Sequence, residues 1–583
     1  MNNKTPKFNE AMEKYFSELK LDEQGGQERV CRVSGEKFYV RPEDIEFYKK
    51  MQVPLPTLSP HESMRKKLGF LNVYHLFFNK STKTGKKIIS VYPNNTPYKT
   101  WEHQIWHSDE FDPFKYGMEY DFDKSFFEQY KNFQLSVPRP NLEIKNGVNS
   151  DYTNGVTDVK NCYLVSDGRT SEDCAHSIFL EGSKQIYHSF GQIKSEIGYD
   201  NNMVHNSYRV FFSEFSNACV DSSFLFDCRD CIDCFCCTNL RHKKYCFENQ
   251  QLGKVEYQKK IAEINLGNRN EVAKWKNKFK ELKKSAIHRA NHNEKNINCT
   301  GDYVNNSKNC QACLYVNDGE NSKYVVGSTG NKDIYDVTGG HNVSLTYNTM
   351  TWWADDTYNT KCSVLALNLR DSEYCDLCQN CSNCFACIGL KNKKFCIFNK
   401  QYSEEEYWQK LDEIKTKMLQ DREYGEFFPK ELAPIPYNIS VATSYGGYDD
   451  LEIAKKYGYK IEEVEEPNPD TQNEISIEEV PDDIKDVPDN ILTKVIIDKK
   501  NNKKFKYTKE ELEFHRKYNL ALPTEHYSAI LARKRIALGP IDFNPKYRNC
   551  TKCGKRTQVT FPEDHPDAPL KVYCEKCYNE GVG

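Results

Sequence analysis

The middle of the chain is a succession of short apolar and β-branched runs, such as SIFLEG from Ser177 and YRVFF from Tyr208, separated by Gly, Asn and Asp. Runs of this length bounded by turn residues predict short strands rather than helices. Among them a small or apolar residue, two variable residues and then Ser or Cys recur: DCAHS at Asp173, QIYHS at Gln185, MVHNS at Met203, ACVDS at Ala218 and DCIDC at Asp230, spaced 12 to 18 residues apart. A single short strand cannot bury its apolar face. Stacked in successive coils, each strand covers the next, so the pattern predicts a β-solenoid, read as a parallel β-helix, with an antiparallel sheet stack as the alternative.

The pattern is written twice. LRHKKYCFENQQLGKVEYQKKIAEI from Leu240 and LKNKKFCIFNKQYSEEEYWQKLDEI from Leu390 are identical at 11 of 25 positions without a gap, and SDYTNGVTDVKNCYLV from Ser150 matches GDYVNNSKNCQACLYV from Gly301. The predicted units are therefore 150–265 and 301–415. Each closes on a segment with helical apolar spacing, KVEYQKKIAEI or SEEEYWQKLDEI, that suits an end cap. A second repeat joins the two ends of the chain: KFYVRPEDIEFYKKMQVPLPT from Lys37 matches KFKYTKEELEFHRKYNLALPT from Lys504, and NKSTKTGKK from Asn79 matches RNCTKCGKR from Arg548. The predicted fold is thus mainly β with helical segments: two tandem β-solenoid units flanked by related terminal zinc-ribbon-like modules, at 31–112 and 491–583. The remaining divisions are a polar segment 1–30, connecting segments 113–149 and 416–460, a basic helical connector 266–300, and an acidic flexible linker 461–490 holding 12 acids and four prolines.

With 583 residues and a formal net charge of -3, the chain is long enough for several domains and is not coated in positive charge. Mean hydropathy of -0.78 is polar, and no apolar stretch reaches the length of a bilayer span. The first residues, MNNKTPKFNEAMEKYFSELKLDEQGG, have no apolar core or cleavage site of a secretory signal. Twenty-four cysteines are therefore expected in a reducing cytoplasm, as metal ligands, buried thiols or redox groups.

Four of them carry the strongest motif. Cys550-x2-Cys553 is followed after twenty residues by Cys574-x2-Cys577, two knuckles that aim four thiolates at one Zn²⁺ in a closed tetrahedral cage. A closed cage is structural, so no catalysis is assigned to it. The amino-terminal module has Ser81 and Thr84 where Cys550 and Cys553 stand, and Cys31 is matched by Asp498. His103 and His107 offer no further ligand pattern, so one zinc is expected from the ends. In the units themselves, Cys375, Cys378, Cys381, Cys384 and Cys387 recur every third residue, and Cys228, Cys231, Cys234 and Cys237 match most of them. Packed thiols, a further zinc site and an iron–sulfur cluster all remain open. Packing comes first because free Cys behaves as a small hydrophobe, and the ferredoxin-type C-x3-C-P ending is missing.

Three weaker features complete the reading. The basic segment 271–289, with lysines near Lys499 and the RKR at Arg533, could meet phosphates. TWWADDTYN sets Trp352 and Trp353 beside Asp355 and Asp356, a pairing seen in carbohydrate sites. No common nucleotide-binding, metalloprotease or serine-hydrolase signature is present. Finally, EDIEFYKKMQVPLPT, EYDFDKSFFEQYKNFQLSVPRPN, LKNKKFCIFNKQYSEEEY, GEFFPKELAPIPYN, ELEFHRKYNLALPT, CTKCGK and YCEKCYNE together resemble a family of uncharacterised cysteine-rich zinc-ribbon proteins of uncultivated, small-genome bacteria. That family carries further CxxC and CPxC knuckles where this chain reads TLSPHESMRKK at Thr57 and TEHYSAILARKR at Thr524. The resemblance implies fold and zinc more than activity. The first expectation is a zinc-containing, non-enzymatic scaffold that associates with protein partners or with itself, away from membranes. Nucleic-acid binding and a carbohydrate-active or carbohydrate-binding β-helix are the alternatives.

Overall fold

The computed structural model describes residues 4–351, 355–464, 473–565 and 568–582. Two large sheets lie at its centre, one of 13 strands from Ile144–Lys145 to Gln250–Gln251 and one of 10 from Gly301–Asn305 to Lys400–Gln401. Their strands run parallel apart from a closing hairpin in each, and with the surrounding helices they make a β-rich mixed α/β fold.

The register is regular. Val165 pairs with Ser177, Ile186 with Gly198, Val210 with Ser222 and Cys234 with Cys246. In the second sheet Val304 pairs with Val316 and Cys384 with Cys396. Each offset is twelve residues, so the irregular spacing of the sequence motif resolves into a uniform coil. One coil is longer: Ser344 pairs with Tyr358, fourteen residues on.

A finer period lies inside each coil. Backbone φ is positive at every third residue from Asp158 to Glu248, again from Tyr303 to Asn348, and again from Asp356 to Phe398. The chain therefore bends four times per coil. A left-handed residue other than glycine costs about 1 kcal/mol, and two bonding schemes offset this. At the bends, Asn and Asp side chains bond from coil to coil, Asn149 to Asn161 to Asp173 (3.1 and 2.9 Å) and Asn368 to Asn380 to Asn392 (2.9 and 3.1 Å). Inside, the residue two before each bend points inward. Ser177 Oγ donates to the Ala175 carbonyl (2.9 Å) and accepts the Ser189 N–H (3.1 Å); Ser213 does the same with Phe211 (2.9 Å) and Leu225 (3.0 Å). Serine thus satisfies interior amides that the ladder leaves over.

The same period explains the cysteine runs. Cys228, Cys231, Cys234 and Cys237 fill the four successive inward positions of one coil, Cys375 to Cys387 fill one coil of the other sheet and the first position of the next, and all are buried. Each sheet then ends in the antiparallel hairpin, Lys244–Phe247 with Gln250–Gln251 or Lys394–Ile397 with Lys400–Gln401, followed by the helix Lys254–Ala262 or Glu404–Gln420. The phrase repeated in the sequence covers the last rung, whose backbone groups would otherwise form an open edge.

The flanks cross over. Amino-terminal side chains Phe8, Trp106, Phe126 and Phe133 join Tyr347, Tyr374 and Phe398 of the second sheet in one core, with Phe427 and Tyr437. Trp275, Phe279, Phe514 and Leu520 pack instead on Tyr187, Tyr199 and Phe235 of the first. Two stretches differ from expectation. The polar amino-terminal segment contains the helix Pro6–Ser17, which buries Phe8 and Met12. The acidic stretch 461–490 is partly built into the fold: Glu474–Ser476 pairs with Val495–Asp498, and Val480, Ile484, Val487 and Ile491 pack with Tyr507 and Leu512. Its apolar residues recur every three to four positions, a signal that the acids and prolines outweighed.

One buried carboxylate of the second sheet is paired twice. Glu373 accepts from Lys361 (3.0 Å) and Lys415 (2.9 Å). Burial alone would raise this carboxyl, but the two ammonium groups reverse that and hold it down to about 2. At Lys415 the balance goes the other way, burial pushing the ammonium down to about 8. Because the Glu373 carboxyl lies below its unfolded value, its contribution is complete above roughly pH 4.5 and is lost as pH falls towards 2. Acid titration of the urea midpoint should therefore show Glu373→Gln less acid-sensitive than the parent; equal sensitivity would remove Glu373 from the account.

Candidate metal centres

The four cysteines of the strongest motif converge. Cys550 and Cys553 lie in the turn between Lys546–Asn549 and Arg556–Val559, where the Cys550 N–H donates to the Lys555 carbonyl (2.9 Å) and the Gly554 N–H to the Cys550 carbonyl (2.8 Å). Gly554 has φ of +73°, which its lack of a Cβ permits. Cys574 follows the strand Lys571–Tyr573, and Cys577 lies in the helix Glu575–Val582. The Thr551 N–H donates to the Val572 carbonyl (2.8 Å) and ties the two knuckles together.

All four Sγ atoms lie within 4.8 Å of one another, and Cys553 and Cys574 are 3.8 Å apart at sulfur. A tetrahedron with metal–sulfur bonds of about 2.3 Å requires sulfurs about 3.8 Å apart. Burial alone would raise the Cys550 thiol, but the N–H groups of Cys574, Cys553 and Lys552 face it and bring it to about 6, into the thiolate form a metal takes. Burial and the three other sulfurs push Cys577 up to about 12, so without a cation the four cannot all ionise at neutral pH.

The same set of backbone bonds occurs twice more with other residues. In the hairpin Phe77–Lys80 with Lys87–Ser90, the Ser81 N–H donates to Lys86 (2.9 Å), Gly85 to Ser81 (2.9 Å) and Thr82 to Thr100 (2.9 Å), and Gly85 has φ of +75°. Superposed bond for bond, Ser81, Thr84, Glu102 and Ile105 stand in place of the four cysteines. There the Glu102 carboxylate accepts from the hydroxyls of both Ser81 and Thr84, closing the knuckle without a metal. Cys31 heads a third, with its N–H on Glu36 (2.8 Å), Gly35 on Cys31 (3.0 Å) and Arg32 on Thr57 (3.0 Å), which sets Ser34 and Ser59 beside it. Asp498, the aligned counterpart of Cys31, instead accepts the N–H groups of Asn501 (3.1 Å) and His526 (2.8 Å) on its carboxylate. Replacing Ser81, Thr84, Glu102 and Ile105 together by cysteine should add one bound zinc per chain by elemental analysis. Unchanged metal content would refute the equivalence.

A second ligand group was not foreseen. His176, His188 and Glu511 bring their ligand atoms within 4.8 Å of one another, and all three are buried. His188 Nε2 is 2.6 Å from Glu511 Oε1, and His176 Nε2 is 3.7 Å from Oε2. Burial pushes the His188 imidazole down against the pull of Glu511. Burial would likewise raise Glu511, but the imidazoles hold it well below the usual carboxylate range. The histidines lie twelve residues apart within DCAHS and QIYHS, so their stacking was latent in the repeat. Glu511, far along the chain, carried no such signal.

The other expected sites are placed elsewhere. The inward cysteine sulfurs face backbone carbonyls: Cys228 Sγ lies 3.6 Å from Phe226 O and 3.7 Å from Cys237 O, and Cys387 Sγ 3.3 Å from Phe385 O. Burial pushes the Cys237 thiol up to about 12. Bonds from the neighbouring Cys219, Cys228 and Cys234 thiols hold Cys231 well below the usual thiol range, so the inward rows mix raised and lowered thiols. His103 and His107 share a short helix, His107 meeting Lys391 (3.4 Å at Nδ1). Asp356 sits at a bend and accepts from Asn342 (3.1 Å) as a rung of the side-chain ladder; Trp352 and Trp353 lie outside the described residues. The basic segment forms the helix Arg269–Ser285, whose Lys276, Lys278 and Lys283 pair with Asp200 (2.5 Å), Glu248 (2.7 Å) and Glu214 (2.8 Å) of the first sheet. Its inner face, with Arg533 and Lys534, lines a cavity of about 1400 Å³ that reaches Tyr303 and His341 of the second sheet. Arg533 and Lys534 are paired as well, with Glu525 and Asp200. Among the described residues no helix is long and apolar enough to cross a membrane. The chain matches no protein-family model and no curated protein.

Proposed function

We propose that this protein is a zinc-containing, non-enzymatic scaffold. In this reading the two sheets are β-solenoids that arose by tandem duplication, bracketed by zinc-ribbon modules. The carboxy-terminal ribbon holds one structural zinc on Cys550, Cys553, Cys574 and Cys577. We further propose that the chain is a relative of the cysteine-rich zinc-ribbon family it resembles and works in a reducing cytoplasm, where packed thiols stay reduced.

The observation that carries the reading is the four-sulfur group with its tetrahedral spacing. Four cysteines complete the coordination of zinc and leave no position for a substrate. A stack of coils locked by serines and Asn ladders supports a rigid surface for a protein partner or a second copy. Nucleic-acid binding ranks second because three lysines of the connector helix, Lys276, Lys278 and Lys283, are answered by acids of the first sheet.

The test is cobalt(II) in place of zinc. Sulfur-to-metal absorption that ignores added azide and a change from mildly acidic to mildly basic pH is the expected result, since no water is coordinated. A spectrum that shifts with azide would mean an open position and would replace the scaffold with a catalytic metal. Binding to single-stranded nucleic acid at low salt, lost steeply as salt rises, would promote the second reading.

A further inference from the structure

We propose that His176, His188 and Glu511 form a second metal site, for a divalent transition cation, which fastens the carboxy-terminal module to the first sheet. Charge is the first reason. Glu511 is 1% exposed; among the described residues its ion-pair partners are His176 and His188, and the buried His515 ring lies within electrostatic reach of it. An uncompensated carboxylate in such a place is strongly destabilising, so a cation belongs beside it, either a shared proton or a metal.

The duplicated amino-terminal module gives the second reason. In the aligned repeat Asp44 occupies the position of Glu511. Both carboxylates accept the N–H that precedes their helix, Asp44 from Arg41 (3.1 Å) and Glu511 from Thr508 (3.4 Å). Asp44 is answered by an ammonium group of the second sheet, Lys323 Nζ at 2.7 and 2.6 Å. At the other end the first sheet offers no lysine but two imidazole nitrogens aimed at the two oxygens of one carboxylate. Two nitrogens and a carboxylate are a donor set that zinc and its neighbours accept.

The site is also held in place. His176 and His188 sit at left-handed bends of consecutive coils (φ 51° and 50°), so their positions follow from the register. Their rings stack at 4.7 Å, and the Tyr527 ring lies 5.2 Å from that of His176. Both Nδ1 atoms are buried without a hydrogen-bond partner, which leaves the Nε2 side as the bonded edge.

The experiment is zinc-edge anomalous scattering from crystals of the full chain supplied with two equivalents of zinc, with elemental analysis of variants in parallel. The expected result is one peak among the four cysteines and a second between the histidines and Glu511. Two zinc per chain should fall to one in Glu511→Gln and to one in the double variant Cys550→Ser, Cys553→Ser. No peak at the histidines, with His188 bonded directly to Glu511, would overturn this proposal and leave the cysteine site intact. A missing cysteine peak would instead overturn the scaffold reading. The crystal result decides even where a variant fails to fold.

Discussion

The double variant Cys550→Ser, Cys553→Ser should lose its sulfur-bound metal and, with it, the order of the last forty or so residues. That unit has almost no core of its own: Val559, Val572 and Ala290 form one small cluster, and three of the cysteines form the other. A structural zinc in a unit of this kind contributes on the order of 10 kcal/mol, far more than those few side chains. The unit docks through the parallel pairing of Ile287–Arg289 with Lys571–Tyr573 and through Tyr578, whose hydroxyl meets Arg241 (2.6 Å) and Asp227. Limited proteolysis should therefore cut the variant after about Pro540 while the two sheets resist. A fragment pattern identical to the parent would show that packing alone holds the unit.

The second large effect is expected at Arg139. Its guanidinium reaches Asp376 of the second sheet at 2.6 and 3.2 Å and Tyr92 at 3.0 Å, with side-chain exposures of 1% for Arg139 and 4% for Asp376. Arg139→Met leaves a buried carboxylate without a cation, which costs about 3–5 kcal/mol. Asp376→Leu alone strands the arginine in the same way. The double variant, with neither charge, should recover most of the loss, since an apolar pair of similar volume is often neutral. Urea midpoints of the four proteins measure this; strictly additive losses would mean the pair is not the fastening between the amino-terminal elements and the second sheet.

The repeated phrases, the helical segment that closes each unit and the four-cysteine motif were legible because each is a local pattern of residue types; the hairpin before each closing helix was not. The coil length was hidden too. Left-handed bends are usually read from Gly or Asn, yet here Phe212, Phe224 and Tyr245 also occupy them, so the bends leave no uniform mark. The marker that does persist is the inward residue, small or apolar at every third position. In Cys228 to Cys237 it is cysteine each time, so one inward row of the coil reads in the sequence as a ligand string. The amino-terminal knuckle was hidden differently. Glu102 replaces Cys574 only after the alignment shifts by three residues, and its role needs both hydroxyls of Ser81 and Thr84. The His176, His188 and Glu511 group requires the carboxy-terminal helix to be docked before it exists at all.

The most direct measurement is zinc K-edge X-ray absorption, with iron content, on anaerobically purified protein and on the Cys550→Ser, Cys553→Ser variant. The account predicts sulfur-bound zinc in the parent, no iron, and loss of every metal–sulfur contact in the variant, any remaining metal being bound by nitrogen and oxygen alone. Sulfur-bound metal that survives in the variant, or iron with its visible absorption in the parent, would make the cysteine runs of the coils a metal centre and contradict the account.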